Sequence, residues 1–311
     1  MRYSFYLSIS LVGMSCTLAF PQDNAAKDES RAKVDMRLDV EYASVGDTKL
    51  KLDLFMPKDA GSKPKPCVVW IHGGGWQKGD KSNGHPKVGR YAASGDYVAA
   101  SVEYRLTDKA AWPAQIHDCK AAIRYLRAHA GELGIDPDKI GVWGESAGGQ
   151  LVNMLGTSGD ISELEGTLGV TNTSSRVQCV VDFCGPSDFL RLDEDMSPTS
   201  VAGAALIKLF EGPLKLKKEV ARQASAANYV SKDDPPFLIV HGTADPLVPI
   251  DQATSFFELQ KKVGMKTSFI KMEGGGHIIF GDEIFQRVRA FFDRELLGKD
   301  VPFSDAPIKV K

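Results

Sequence analysis

Along this chain apolar and polar residues first alternate and then segregate into solid runs. RLDVEYAS (37 to 44) and KLKLDLFM (49 to 56) alternate on either side of Val45-Gly46-Asp47-Thr48, which predicts an antiparallel hairpin at a sheet edge. The later strands are continuous apolar runs: CVVWIH (67 to 72), YVAASVEY (97 to 104), IGVWG (140 to 144), QCVVDFC (178 to 184), FLIVHG (237 to 242) and TSFIKM (267 to 272). A strand apolar at every position is buried on both faces, as in a parallel sheet with crossover helices. Helices are predicted at about 114 to 130, 147 to 157, 250 to 263 and 281 to 296. In the first, Ile116, Ala121 or Ala122, Leu126 and Ala130 recur on one side, with Pro113 near the start. The alternation of strands and helices predicts an α/β architecture in one domain. Residues 186 to 235 break the scheme with PSDFLRLDEDMSPTS, an amphipathic VAGAALIKLFEG and a charged segment. An insertion between two core strands is a candidate small cap over a site.

Composition narrows this picture only a little. With 311 residues, 43% hydrophobic and 25% charged, the chain can bury one large core. Its net charge of -2, with Lys and Arg scattered, gives no electrostatic basis for a nucleic-acid partner, so a small or neutral ligand is expected.

The first residues, MRYSFYLSISLVGMSCTLAF, read as a signal peptide cut after Ala19, and hence as export to the periplasm or outside the cell. The competing readings are a permanent membrane span, which Ser8, Ser10, Ser15 and Thr17 interrupt, and a degenerate lipoprotein site at Gly13-Met14-Ser15-Cys16, which lacks the usual Leu. No span is expected in the mature chain. Residues 20 to 35 are polar and read as a disordered lead-in, residues 36 to 298 as the folded domain and 299 to 311 as a C-terminal tail. Cys67, Cys179 and Cys184 sit in apolar runs as small core residues, and the disulfide state of these and Cys119 stays open. No Cys-x-x-Cys pair exists, so structural zinc is not expected.

Candidate chemistry centres on IGVWGESAGGQLV. Gly144-Glu145-Ser146-Ala147-Gly148 fits Gly-x-Ser-x-Gly and lies between an apolar strand and a helical segment. A nucleophilic serine on such a turn needs small neighbours because the backbone is crowded, and it gains from the positive end of the following helix. The bland alternative is a Gly-rich loop packing a helix on a strand. His72-Gly73-Gly74-Gly75-Trp76 follows the first core strand, and its glycines would free backbone N–H groups to face developing negative charge. Gly74 and Gly75 are the candidate donors of this oxyanion hole, with Ala147 as a third. His72 reads as a brace for this loop rather than a proton carrier.

A hydroxyl nucleophile needs a base and a carboxylate that orients the base. In α/β-hydrolases, which this strand-serine-helix turn resembles, the chain order is Ser, acid, His. His277 in MEGGGHIIF closes that order, on a loop that three glycines would make flexible, and Asp245 in FLIVHGTADPLVP sits just past a buried strand. Asp188 is the rival acid, Asp251 reads as a helix N-cap and Asp282 follows His277 out of order. His241 reads as a packing or hydrogen-bonding residue beside the site. This chemistry needs no cofactor and no metal.

With these residues placed, HGGGWQKGDK, SVEYRL, WPAQIHDCKAAIRYLR, GVWGESAGGQLV, VVDFCGPSDF and PPFLIVHGTADPLVP together resemble the α/β-hydrolase superfamily. Within it they resemble the bacterial esterase group related to hormone-sensitive lipase and to bifunctional feruloyl and acetyl-xylan esterases. The resemblance covers about residues 36 to 298. It implies the α/β-hydrolase fold and a serine esterase, here expected to be secreted because of residues 1 to 19, acting on acetyl, short-chain or aromatic acid esters, including those on plant polysaccharides. The family's catalytic Ser, Asp and His fall on Ser146, Asp245 and His277. Where the family commonly has Trp and Pro, this chain has Cys184 and Ala226-Ala227, beside the candidate cap, which puts substrate preference in question. The His-Gly-Gly-x-Trp motif also occurs in arylformamidases, which apply the same residues to a formamide, and peptidases use the same fold. A hydrolase-like binding module is the remaining alternative; such proteins usually lack one of the three residues.

Overall fold

The computed structural model describes residues 32–59, 61–159, 161–193, 197–278 and 280–310. The expected signal peptide at 1–19, with Cys16, and most of the expected lead-in lie outside the described residues. Nine strands form a single sheet in the order β1-β2-β4-β3-β5-β6-β7-β8-β9. In chain order these are β1 Val34–Val45, β2 Thr48–Pro57, β3 Lys65–Ile71, β4 Val98–Val102, β5 Ile135–Glu145, β6 Cys179–Phe183, β7 Phe237–Gly242, β8 Thr267–Glu273 and β9 Ile308–Lys309. β1 and β2 pair antiparallel, β2 joins β4 antiparallel, and every later pair is parallel. This is the α/β-hydrolase arrangement that the resemblance implied.

The solid apolar runs follow from helices on both faces of this sheet. In β3, Cys67, Val69 and Ile71 join one core layer, while Val68 and Trp70 join the other. Val142 and Trp143 divide in the same way on β5. Trp70 and Trp143 meet edge to face with ring centroids 4.9 Å apart. A polar residue at any of these central positions would face a packed layer, so period-two alternation is lost where burial is two-sided.

Several elements differ from the pattern reading. β1 starts at Val34, two residues inside the segment set aside as a lead-in, because Val34 and Asp35 continue the ladder opposite Pro57 and Met56. Helix His85–Ala93 was not predicted. It buries only Val88 and Tyr91 as large apolar residues, with Ala92, too little for a periodic signal. The expected tail carries β9, whose Ile308 pairs with Met272 of β8. The segment 186 to 235 contains helices Val201–Phe210 and Lys218–Gln223. Cys67, Cys119, Cys179 and Cys184 are buried free thiols. Among the described residues no helix is long and apolar enough to cross a membrane.

Candidate active site

β5 ends at Glu145 and the helix Ala147–Thr157 begins at once, so Ser146 alone must reverse the chain. It does so with φ 54° and ψ -118°, a conformation L-residues rarely adopt. Its N–H donates to the Phe183 carbonyl at 2.7 Å, which holds the turn against β6. The turn closes only because its flanks lack side chains. A Cβ on Gly148 would stand 2.2 Å from the Ile71 carbonyl oxygen, and one on Gly144 2.3 Å from that of Gly148. Ser146 therefore projects at the N-terminal end of a helix, where the backbone dipoles favour negative charge.

The structure brings three of the expected residues together. Ser146 Oγ donates to His277 Nε2 at 2.8 Å, and His277 Nδ1 donates to Asp245 Oδ2 at 2.7 Å. The parallel pairing of β7 with β8 places the acid and the imidazole side by side, with His241 opposite Lys271 and Gly242 opposite Met272. The glycines ahead of His277 do not make a loose loop. Gly275 accepts from Ala244 N at 2.9 Å and Gly274 N donates to Thr243 Oγ1 at 2.8 Å, tying the loop to the end of β7.

Asp245 is the most heavily solvated carboxylate of the site, and its solvent is protein. Oδ1 accepts from Leu247 N at 2.8 Å and Val248 N at 2.9 Å, while Oδ2 faces His277 and, at 3.1 Å, His241 Nε2. Burial alone would raise its pKa. The two imidazoles and the two backbone N–H groups outweigh burial and hold the carboxyl well below the usual carboxylate range. The other candidate acids are engaged elsewhere. Asp188 caps the turn Phe189–Arg191 by accepting from Leu190 N at 3.0 Å. Asp251 is not the N-cap expected of it: Ile250 takes that position, and Asp251, the first helical residue, pairs with Arg191 at 2.9 Å. Asp282 starts the helix Asp282–Leu297.

Gly74, Gly75 and Trp76 have consecutive positive φ values of 112°, 61° and 57°, so this loop coils back over Ser146. The N–H groups of Gly74, Gly75 and Ala147 have no acceptor among the described residues, and all three residues border one cavity. Trp76 fixes the loop from behind, donating from Nε1 to Gln150 Oε1 at 3.1 Å. His72 is buried, donates from Nδ1 to the Gly73 carbonyl at 2.8 Å, and lies stacked on Tyr104 with ring centroids 4.3 Å apart. Burial lowers its pKa, so a neutral ring packs beneath the loop without contacting Ser146.

The cavity measures about 460 Å³ and opens on Ser146 and His277. One wall comes from the 186 to 235 segment: Pro186, Phe189 and Leu192, then Val201, Ala205 and Leu206 of the helix Val201–Phe210. Val201, Leu247 and Ile278 are 72%, 38% and 45% exposed, giving the mouth an apolar rim.

One feature had little signal in the sequence, and another was read there only as a packing or hydrogen-bonding residue beside the site. Lys87, on the unpredicted helix, pairs with Glu145 at 3.1 Å and sits 4.0 Å over Trp70 and 4.7 Å over Phe280, joining the serine turn to the segment after His277. His241, four residues before Asp245, contacts that carboxylate directly. Among the described residues, the His, Cys, Asp or Glu group close enough to share a metal ion is Cys184, Asp245 and His277. Asp245 and His277 are already bonded to each other, and burial pushes the Cys184 thiol well up, so Cys184 is poorly disposed to lose its proton to a metal.

Comparison with known proteins agrees with this fold. Residues 52–259 match the family model described as BD-FAE. Esterase LipC of Mycobacterium tuberculosis is 31% identical over 230 residues, 73% of this chain and 56% of its own, so the chain spans little more than half of that relative's length. A truncated carbohydrate esterase from gut microbiota superposes with a TM-score of 0.77 at 31% identity, covering 85% of this chain and 96% of that one. Thermophilic esterase Est2 of the planctomycete Thermogutta terrifontis superposes with a TM-score of 0.70 at 26% identity, covering 86% and 95%.

Proposed function

Because the chain belongs to the BD-FAE family, we propose that it is a serine hydrolase of carboxylic esters, with Ser146 as nucleophile, His277 as base and Asp245 as the carboxylate that orients His277. The observation that carries this reading is the unbroken line of hydrogen bonds from Asp245 Oδ2 through both nitrogens of His277 to Ser146 Oγ, at the edge of an apolar cavity. Ser146 Oγ attacks the ester carbonyl as its proton passes to His277 Nε2, and the alcohol leaves with that proton. A water deprotonated by the same nitrogen then attacks the acyl-enzyme, releasing the acid and restoring Ser146. The N–H groups of Gly74, Gly75 and Ala147 are assigned to the charged carbonyl oxygen, at roughly 3 kcal/mol per donor.

Within this class the proposed substrates are acetyl, short-chain or feruloyl-type esters, including side groups of plant polysaccharides. The apolar wall and rim support an acyl group with aliphatic or aromatic surface, and the carbohydrate esterase neighbour supports a sugar-linked alcohol. The catalytic domain is proposed to run from β1 to β9, slightly beyond the expected residues 36 to 298, with residues 186 to 235 as its cap. Export is proposed from residues 1 to 19 alone.

A panel of acetyl-xylan, methyl ferulate, nitrophenyl esters of graded acyl length, an aryl formamide and an aminoacyl anilide tests the reading. Turnover of the esters that is lost in Ser146→Ala is expected. Full ester turnover by Ser146→Ala, or dominant anilide or formamide cleavage by the native protein, would overturn it.

A further inference from the structure

His241 is the penultimate residue of β7, and its side chain is completely enclosed. Nε2 lies 2.9 Å from the Val248 carbonyl oxygen and 3.1 Å from Asp245 Oδ2. A carbonyl oxygen can only accept, so the ring carries its proton on Nε2. Nδ1, which has no partner among the described residues, is then a bare acceptor. One N–H therefore does two things. It fastens the carbonyl of Val248, whose own N–H and that of Leu247 grip Asp245 Oδ1. It also abuts Oδ2, the oxygen that accepts from His277.

A carboxylate rotates easily about its terminal torsion, and a triad acid is useful only while one oxygen stays on the imidazole. Gripped at Oδ1 by the turn and pressed at Oδ2 by His241, Asp245 has one orientation. From the neighbouring strand the charged group facing His241 is Asp182, whose carboxyl bonds Asn153 Nδ2 and Gly185 N, not the imidazole. His241 does not line the cavity.

We infer that His241 is a positioning residue for ester hydrolysis: its Nε2–H holds the Asp245 carboxylate in the orientation that presents Oδ2 to His277. The inference rests on the reading of Ser146, His277 and Asp245 given above. It goes beyond that reading by assigning a second imidazole to the acid.

The test compares two substitutions of similar length. His241→Met fills the space without a donor, and His241→Gln keeps an N–H at the reach of Nε2. Per folded molecule, kcat is expected to fall roughly tenfold or more in His241→Met and to recover most of that loss in His241→Gln. Equal losses in both variants, or native kcat in His241→Met, would overturn the inference, because a purely space-filling histidine gives one of those results. A spectroscopic arm needs no variant to fold. In the native protein labelled with 15N-histidine, His241 is expected to show a protonated Nε2 and a bare Nδ1, and an unprotonated Nε2 would overturn the inference. Labelling by a fluorophosphonate, present in the native protein and absent in Ser146→Ala, is the separate check on the parent reading.

Discussion

Asp182 offers the sharpest quantitative test of the buried polar groups behind the site. It is a central residue of β6, 1% exposed, with Oδ2 accepting from Asn153 Nδ2 at 2.9 Å and Oδ1 from Gly185 N at 2.9 Å. Burial pushes its pKa up to about 6, against the opposing pull of the hydrogen bonds from Asn153 and Gly185. An unfolded aspartate titrates near 3.9, so the folded chain holds this proton over a window of about two pH units in which the unfolded chain has released it. At about 1.4 kcal/mol per unit, ionising Asp182 in the fold costs ~3 kcal/mol. The sign follows from the raised value: the contribution is fully present below about pH 4 and is lost as pH rises through about 6. Asp182→Asn removes the titration. Its amide oxygen keeps one bond, and its new N–H₂ can donate to Asn153 Oδ1, which is buried and unpartnered, once the Asn153 amide turns over. Urea unfolding of both proteins from pH 4 to 8 measures the difference in stability. The variant is expected to gain on the native protein steadily between about pH 4 and 6, by up to ~3 kcal/mol, and then to hold a constant difference. A difference that is flat across this range, or that shrinks with pH, would refute the assignment of a proton to Asp182 in the fold.

Two further substitutions probe the serine turn and the cavity. Gly148→Ala puts a Cβ 2.2 Å from the Ile71 carbonyl oxygen and 2.6 Å from that of His72, where only backbone can move. A loss of about 1–3 kcal/mol in stability is expected from denaturant melts, with a fall in kcat of roughly a hundredfold as Ser146 shifts; Gly131→Ala, whose Cβ would meet nothing within 4 Å, is the control that should change neither. Ala205 lies in the cavity wall, 3.4 Å from where a Cβ on Gly75 would be. Ala205→Phe is expected to cut kcat/KM for hexanoyl or feruloyl esters about tenfold more than for acetyl esters, and a uniform loss across chain lengths would remove Ala205 from the acyl wall.

The residues that carry the proposed chemistry were legible because each sits at a place where the local sequence has little freedom. Gly144, Gly148 and Gly149 crowd a strand against a helix and so mark the turn at Ser146, and the apolar run FLIVHG ends just before Asp245. The two-sided burial of β3 to β7 was equally visible, since it writes itself as unbroken apolar residues. Helix His85–Ala93 was not, because half of its work is done by Lys87, a charged residue that local periodicity counts as surface although it lies against Trp70 and Glu145.

The sequence by itself determined the core strands β3 to β8, the strained turn at Ser146 and the order in which a serine, two candidate acids and His277 follow one another, all of which rest on steric and hydrophobic rules acting over a few residues. Only the tertiary structure decided that Asp245 rather than Asp188 meets His277, that His241 presses on the same carboxylate oxygen, and that alanines of the helix Val201–Phe210 wall the cavity. The site also joins segments far apart in the chain, Ser146 and His277 being 131 residues apart. Their geometry is set by strand pairing and packing, which no local pattern encodes.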